Sequence, residues 1–242
     1  MKDITLLELL KSGAHFGHTT SRWNPKMKPF IFTTRNNIHI LDLEQTKKAL
    51  EKAAKFAGEL SARGGTLLFV GTKRQSKEIV KNAAVACGMP YVNVRWLGGT
   101  FTNFKTIQKT IRKMEKLESQ KASGELENNY TKKERLMVVR EIEKLKKLFE
   151  GIQGMKKLPE AIFVTDVKHD AIAVTEAQKS KVKIIGLVDT NCSPEKIDFA
   201  IPANDDATKV IELMAGVISQ AVIEGRSAAP VIKEVDKTPA VS

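Results

Sequence analysis

The stretch Thr66-Leu-Leu-Phe-Val-Gly-Thr-Lys-Arg-Gln-Ser76 decides the fold class of this 242-residue chain. Its first five residues form a continuous apolar run, which is typical of a strand that is buried on both faces of a parallel sheet. Gly71 ends the run, and helical spacing then continues from Ser76 until Gly88. A buried strand that leads directly into a helix is the repeating unit of an α/β protein.

The same rhythm of strand and helix continues on both sides of this stretch. Short apolar runs predict further strands of the same sheet at residues 91–94, 161–164, 183–188 and 199–201. Helical spacing predicts helices at residues 3–11, 171–179 and 207–223, and a further helix that starts at Asp42 or Thr46 and continues to about residue 62. We therefore predict a doubly wound parallel sheet, whose ligand face lies beyond the carboxyl ends of its strands.

The N-terminal segment departs from this rhythm. Apolar runs at residues 30–33 and 38–41 flank Arg35-Asn-Asn37 and predict an antiparallel hairpin. The preceding residues, 14–29, hold two histidines, two aromatic residues, three basic residues and two prolines. We expect little regular structure in that loop.

A long insertion between two strands, residues 104–158, is here called the arm. Apolar residues recur at helical spacing in both halves of the arm: Ile107, Ile111, Met114 and Leu117, then Val138, Ile142, Leu145, Phe149 and Ile152. The second set follows a coiled-coil repeat, and Thr131 with Glu134 fits a capping box. We predict a protruding antiparallel helical hairpin with its tip at residues 120–130. Each helix would bury a narrow stripe against the other.

The charge of the chain is concentrated on the arm. Between Lys105 and Lys157 there are fifteen Lys or Arg and eight Glu, a net charge of +7 out of +12 for the whole chain. One interpretation is that these Lys/Glu-rich helices simply present charged faces to solvent, without a binding partner. The excess of positive charge favours an acidic partner instead, with nucleic acid ahead of an anionic membrane.

The cysteines and the hydropathy indicate the compartment. Cys87 and Cys192 stand alone, without CxxC spacing, which favours a reducing compartment over a disulfide scaffold or a thiolate zinc site. No apolar run has the length needed to span a bilayer. We expect a cytoplasmic protein with no membrane partner.

Catalytic motifs are absent from the sequence. Gly71-Thr-Lys-Arg74 opens a helix but lacks both GxGxxG and GxxxxGK[ST], so Lys73 and Arg74 are candidates to contact a nucleic-acid backbone. There is no GxSxG. We expect no enzyme, no small-molecule substrate and no cofactor.

Two observations keep metal chemistry open as an alternative. Asp166 and Asp189 end consecutive predicted strands, as Mg²⁺ ligands do in some doubly wound enzymes, although such residues more often cap a helix or hold loop amides. His15 and His18 share one loop, and with Asp189 or Asp205 they are candidate zinc ligands. Structural hydrogen bonding is the favoured role for these histidines.

Ordered blocks of the sequence are similar to the bacterial small-subunit ribosomal protein S-two (uS-two) family. The blocks are Leu6-Leu-Glu-Leu-Leu-Lys-Ser-Gly-Ala-His-Phe-Gly17, Arg22-Trp-Asn-Pro-Lys-Met27, Arg35-Asn-Asn-Ile-His-Ile-Leu-Asp-Leu43, Phe69-Val-Gly-Thr-Lys-Arg-Gln75, Arg95-Trp-Leu-Gly-Gly-Thr-Phe-Thr-Asn103, Leu158-Pro-Glu-Ala-Ile-Phe-Val-Thr-Asp166, Val188-Asp-Thr-Asn191 and Ile201-Pro-Ala-Asn-Asp-Asp206. The agreement covers about residues 4–226, and Lys183 departs from the family's usual Pro or Ala.

The resemblance implies a flavodoxin-like sheet at residues 1–103 and 159–226, a coiled-coil hairpin at 104–158 and, beyond the resemblance, a flexible tail at 227–242. It implies a ribosome-bound structural protein that binds small-subunit ribosomal RNA at the head–body junction. Its protein partners would be other small-subunit proteins, including ribosomal protein S-one, which it helps to dock.

The RNA-binding candidates come from the matching loops and from the basic residues around them. The loop candidates are Arg22, Trp23, Lys26, Lys28, Lys73, Arg74, Arg95, Trp96 and Asn103. The arm candidates are Lys105, Lys109, Arg112, Lys113, Lys132 and Lys133. Trp23 and Trp96 are the only tryptophans, and each is expected either to stack on a base or to fill the edge of the core.

Overall fold

The computed structural model describes residues 4–126 and 130–228, which contain two sheets. The smaller sheet is antiparallel and holds β1 (Phe16–Thr19), β2 (Ile31–Arg35) and β3 (Ile38–Leu41) in the order β1-β3-β2. The larger sheet is parallel and holds β4 (Leu67–Val70), β5 (Tyr91–Val92), β6 (Ala161–Val164), β7 (Lys183–Val188) and β8 (Phe199–Pro202). Its order, β5-β4-β6-β7-β8, is that of flavodoxin-like sheets. The predicted parallel α/β sheet is confirmed.

Helices cover both faces of the parallel sheet. They are α1 (Leu6–Ser12), α2 (Leu43–Ala62), α3 (Lys77–Cys87), α4 (Phe104–Ala122), α5 (Lys132–Phe149), α6 (Ala171–Lys179) and α7 (Thr208–Ala228). Leu67 and Phe69 of β4 pack into one apolar cluster with α2, α3 and α7. Leu68 and Val70 face the opposite side, toward α6 and the roots of α4 and α5. Successive strand residues point to opposite faces, so a run that is apolar throughout supplies both clusters.

The N-terminal segment contains more regular structure than its composition suggested. The hairpin of β2 and β3 is confirmed, and its two turn residues, Asn36 and Asn37, have φ values of 49° and 60°, as a type I′ turn requires. The preceding loop, however, contains β1 and two short 3-10 helices, Thr20–Arg22 and Pro25–Phe30. The expectation of little regular structure there was wrong, because β1 gains its hydrogen bonds from β3.

The two helices of the arm bury the stripes that the spacing predicted. Ile107, Ile111 and Met114 are buried in α4, and Ile142 and Phe149 in α5. The predicted capping box at the start of α5 is also present.

The root of the arm, however, is part of the sheet's packing. Ile107, Ile111 and Phe149 share one apolar cluster with Leu68 and Ile162 of the parallel sheet. The expectation that the arm helices bury only each other therefore fails at the root, where they also cover a face of the sheet.

Three predicted boundaries fall wholly or partly outside the described residues. The tip at 120–130 includes residues 127–129, and the tail at 227–242 is described only to Ala228, where α7 ends. The N-terminal helix begins at Leu6, after a capping box of Thr5 and Glu8, whereas the spacing predicted residue 3. The division of the chain into a sheet domain, an arm and a tail stays a prediction.

Candidate nucleic-acid interface

The carboxyl ends of the parallel strands bring one lysine and three aspartates together. Lys73 follows β4, and Asp166 follows β6 on the neighbouring strand. The Lys73 Nζ lies 2.8 Å from an Asp166 oxygen and 3.2 Å from an Asp205 oxygen. It also lies 2.6 Å from an Asp206 oxygen, so residues that follow β4, β6 and β8 meet at one ammonium group. Together Lys73, Asp166, Asp205 and Asp206 are here called the strand-end cluster.

Crowding shifts the ionisation of these groups. Burial by itself favours neutral Lys73, but hydrogen bonds to Asp166 and Asp206 outweigh it and raise the pKa of this lysine. Burial, and then the charges of Asp166 and Asp189, raise the pKa of Asp205 to about 7. Asp205 is therefore partly protonated near neutral pH, whereas Lys73 keeps its positive charge.

Asp166 and Asp189, the two candidate magnesium ligands, hold loop groups. Asp166 Oδ1 accepts the backbone N–H groups of Lys168 at 3.0 Å and His169 at 2.8 Å. Asp189 Oδ1 accepts the Thr190 hydroxyl at 3.0 Å. Both carboxylates thus hold loop groups at strand ends, which was the favoured alternative to metal binding.

The candidate zinc ligands are only partly brought together. His18 Nδ1 lies 3.1 Å from Asp189 Oδ2, and a hydrogen bond to that carboxylate raises the pKa of His18. His15 lies elsewhere and its ring packs on Phe16, with ring centroids 4.0 Å apart. Within residues 4–126 and 130–228, no group of three or more His, Cys, Asp or Glu is placed to hold a metal ion. The zinc site therefore stays a prediction.

Four basic residues of the predicted loops are exposed above the strand ends. Arg22, Lys28, Arg74 and Arg95 are all exposed, and none forms a salt bridge within the described residues. Their loops lie at the same edge because they follow or contact the carboxyl ends of the strands. The loop of Arg22 and Lys28 is tied there by the Asn24 N–H, which donates to the Thr190 carbonyl at 2.7 Å.

The other predicted loop residues are less available. Lys26 is exposed but paired with Glu195. Trp23 is half-buried beside His39, with ring centroids 5.1 Å apart. Asn103 is exposed at the start of α4.

Two loop candidates are placed inside the protein. Trp96 is only 6% exposed and packs edge-on against Phe101, so its ring lies in the core instead of facing a base. Lys73 is held by three carboxylates in the strand-end cluster and cannot reach a phosphate without breaking those contacts. For both residues a direct RNA contact stays a prediction, which these placements do not favour.

Glu176 of α6 is a structural anchor that the sequence reasoning missed. Its carboxylate accepts the backbone N–H groups of Gly99 at 2.6 Å and Phe101 at 2.9 Å. Burial opposes its ionisation, but hydrogen bonds from Phe101, then Gly99 and Thr102, lower its pKa. This buried charge fixes the loop between Arg95 and the start of the arm. A glutamate within a short helix gives no sequence signal for such a role, because its partners lie about 75 residues away.

The basic residues of the arm divide into paired and unpaired sets. Lys113 Nζ lies 2.6 Å from Glu141, and Lys146 Nζ lies 3.4 Å from Glu118, so these lysines link the two helices. The remaining arm candidates are exposed and form no salt bridge within the described residues; they are Lys105, Lys109, Arg112, Lys132 and Lys133.

A second surface is apolar and has acidic residues at its edge. Leu7 and Phe32 are 57% and 76% exposed, and they line a groove of about 620 Å³ between α1 and the β2–β3 hairpin. Asp42 and Glu44 also line this groove. Exposed apolar patches of this kind mark binding surfaces for proteins more often than for polyanions. This surface is here called the apolar groove.

Comparisons with known proteins agree with the resemblance. The family described as Ribosomal protein S2 matches residues 9–225. The chain is 47% identical over 239 residues to the small ribosomal subunit protein uS2 of Acidothermus cellulolyticus, which covers 99% of this chain and 87% of that relative. Within its described part, no helix is long and apolar enough to cross a membrane. The chain therefore belongs to the ribosomal protein S2 family and is a structural constituent of the small ribosomal subunit, not an enzyme.

Proposed function

We propose that this chain binds small-subunit ribosomal RNA at the head–body junction through the loops above the carboxyl ends of its parallel strands. The observation that carries this proposal is the set of exposed, unpaired cations on those loops: Arg22, Lys28, Arg74 and Arg95. Phosphate contacts position a protein on RNA without demanding one particular base, and exposed Arg and Lys supply them.

The strand-end cluster repels a polyanion less than its three aspartates alone would. Three aspartates alone would repel phosphates, but Lys73 lies within 3.2 Å of two of them and 2.6 Å of the third. The positive charge inside the cluster thus cancels part of the negative charge below the RNA-facing loops. We propose that Lys73 offsets the negative charge of the three aspartates without a resident metal ion. Metal analysis of the native protein tests that part of the proposal.

The salt dependence of RNA binding tests the loop contacts. Each phosphate that a protein neutralises adds about 0.7–0.9 to the slope of log K against log salt. Replacing Arg22, Lys28 and Arg95 together by Gln should therefore flatten this slope by about 2 to 3. Binding is measured with purified small-subunit RNA at several salt concentrations.

The matched control changes three exposed lysines away from that edge. Lys55 of α2, Lys179 at the end of α6 and Lys181 just after it are exposed, and none forms a salt bridge within the described residues. Their replacement by Gln removes the same charge but should change the slope by less than about 1. Equal effects of the two triple variants would show that the binding is diffuse and would contradict the proposed loop contacts.

We further propose that the apolar groove is the docking surface for ribosomal protein S-one. The exposed Leu7 and Phe32 offer apolar contact, and Asp42 and Glu44 at the edge would repel a phosphate backbone. Shape and charge thus favour a protein segment here, and S-one is the candidate that the resemblance of the sequence blocks implies. The RNA-binding loops and the protein-binding groove would then be separate surfaces.

A further inference from the structure

The outward face of α4 carries four cations in a row. Lys105, Lys109, Arg112 and Lys116 follow one another at spacings of four, three and four residues, and all four are exposed. At about 100° per residue, they lie within about 30° of a single line along the helix. This line is opposite the buried face of Ile107, Ile111 and Met114. The four residues are here called the α4 stripe.

The α4 stripe keeps its full charge. Within the described residues, none of its four members forms a salt bridge. Of the carboxylates of α4, Glu118 lies on the other side and pairs with Lys146 of α5, and Glu115, about 90° from the stripe, accepts a hydrogen bond from Gln153. The neighbouring Lys113 is already paired with Glu141, so it is excluded from the stripe.

The outward face of α5 is chemically different. It also carries Lys133, Arg140, Lys144 and Lys147, but Glu143 interrupts them. Its Leu136 and Met137 are 52% and 62% exposed. Apolar side chains gain nothing from contact with phosphates, whereas a face of four cations without an acid or an apolar residue suits a polyanion alone.

We propose that the α4 stripe binds successive phosphates of one RNA strand, and that α4, not α5, is the RNA-facing helix of the arm. Lys105 and Lys116 are about 16 Å apart along the helix axis, so the stripe presents one cation for each 4.5 to 6 Å of rise. This inference rests on the proposed function and adds Lys116 to the binding surface.

The experiment compares matched triple variants of the full chain. Lys109, Arg112 and Lys116 are replaced together by Gln in one variant, and Arg140, Lys144 and Lys147 in the other. Both variants lose three exposed, unpaired cations from the same arm. Far-ultraviolet circular dichroism and thermal unfolding verify that each remains folded. Binding of small-subunit RNA is then measured against salt concentration.

The α4 variant should flatten the slope of log K against log salt by about 2 to 3, and the α5 variant by less than about 1. Equal slopes for the two variants, or a larger effect of the α5 variant, would overturn the inference. A slope that changes for the Arg22, Lys28 and Arg95 variant but not for the α4 variant would overturn the stripe and leave the proposed function standing. If the unmodified chain binds RNA with no dependence on salt, the proposed function itself fails.

Discussion

Asp205 is a single residue that links the strand-end cluster to the pH of the solution. Burial beside Asp166 and Asp189 raises its pKa to about 7, well above the ordinary value of 3.8. Between these two values, the folded chain binds more protons at this site than the unfolded chain. The free energy of unfolding therefore falls as the pH rises through this window.

The variant Asp205→Asn should remove much of this pH dependence. We expect the difference in unfolding free energy between pH 4.5 and pH 7.5 to shrink by on the order of 3 kcal/mol, because one pKa unit corresponds to about 1.4 kcal/mol. Urea unfolding at a series of pH values measures this difference in unfolding free energy. Asp198→Asn, at the amino end of β7, is the matched control. An unchanged pH profile for Asp205→Asn would show that the carboxyl titrates normally in the folded chain.

Single residues also show where sequence reasoning stops. The role of Asp166 could be predicted, because a strand-end aspartate with free amides two and three residues later has local partners. Trp96 could not be assigned, because a tryptophan in a basic loop has the same local sequence whether its ring faces solvent or, as here, Phe101. The three carboxylates around Lys73 could not be predicted, because they come from parts of the sequence that are distant from it.

At the scale of elements, sequence patterns predicted those elements whose contacts lie close together in the sequence. The turn residues Asn36 and Asn37 determined the hairpin, and the apolar spacing of α4 and α5 predicted their buried faces. β1 was missed because its hydrogen-bonding partner, β3, lies about twenty residues further along the chain. The root of the arm was misjudged for a related reason, since a helical stripe does not reveal which surface it covers.

The packing of the arm predicts where it can be shortened. Linking Leu117 to Val138 through a short Gly/Ser segment keeps the buried residues Met114 and Ile142 and removes only the distal part. We expect this variant to unfold cooperatively, with a melting temperature within a few degrees of the unmodified chain. Differential scanning calorimetry tests it.

Removal of the whole arm should have the opposite result. Joining Asn103 directly to Leu158 would expose the face of Leu68 and Ile162 that Ile107 and Phe149 now cover. Loss of buried apolar side chains costs about 2–5 kcal/mol for each large residue, so this variant should aggregate or lose its cooperative transition. Normal folding of the fully deleted chain would show that the root contributes little to the core.

At the scale of the whole molecule, the charged and apolar surfaces are separate. The unpaired cations of the two proposed RNA-binding surfaces lie on the strand-end loops and on α4, whereas the apolar groove lies between α1 and the small antiparallel sheet. A structural protein with two such surfaces is able to contact RNA and a second protein at the same time. Single substitutions should therefore weaken one contact without the other.

The double variant Leu7→Asp and Phe32→Asp tests this separation. Both side chains are exposed, so the changes should cost the fold less than about 1 kcal/mol. Affinity for purified S-one, measured by calorimetry, should fall at least tenfold, while the salt slope of RNA binding stays unchanged. Val85→Asp, an exposed apolar position on α3, is the control. Unaltered S-one affinity in the double variant would exclude the groove as the docking surface.

The strand order also affects the time course of folding. β4 is next to the centre of the sheet, yet its Leu67 pairs with Ala161, about ninety residues later, and such distant pairings form slowly because a long loop must first close. A ribosome that adds about 5–20 residues per second needs roughly 5–20 seconds to synthesise this interval. The arm is synthesised during this interval. For that time the nascent chain has an unpaired strand edge, while its most cationic segment is already free to meet polyanions.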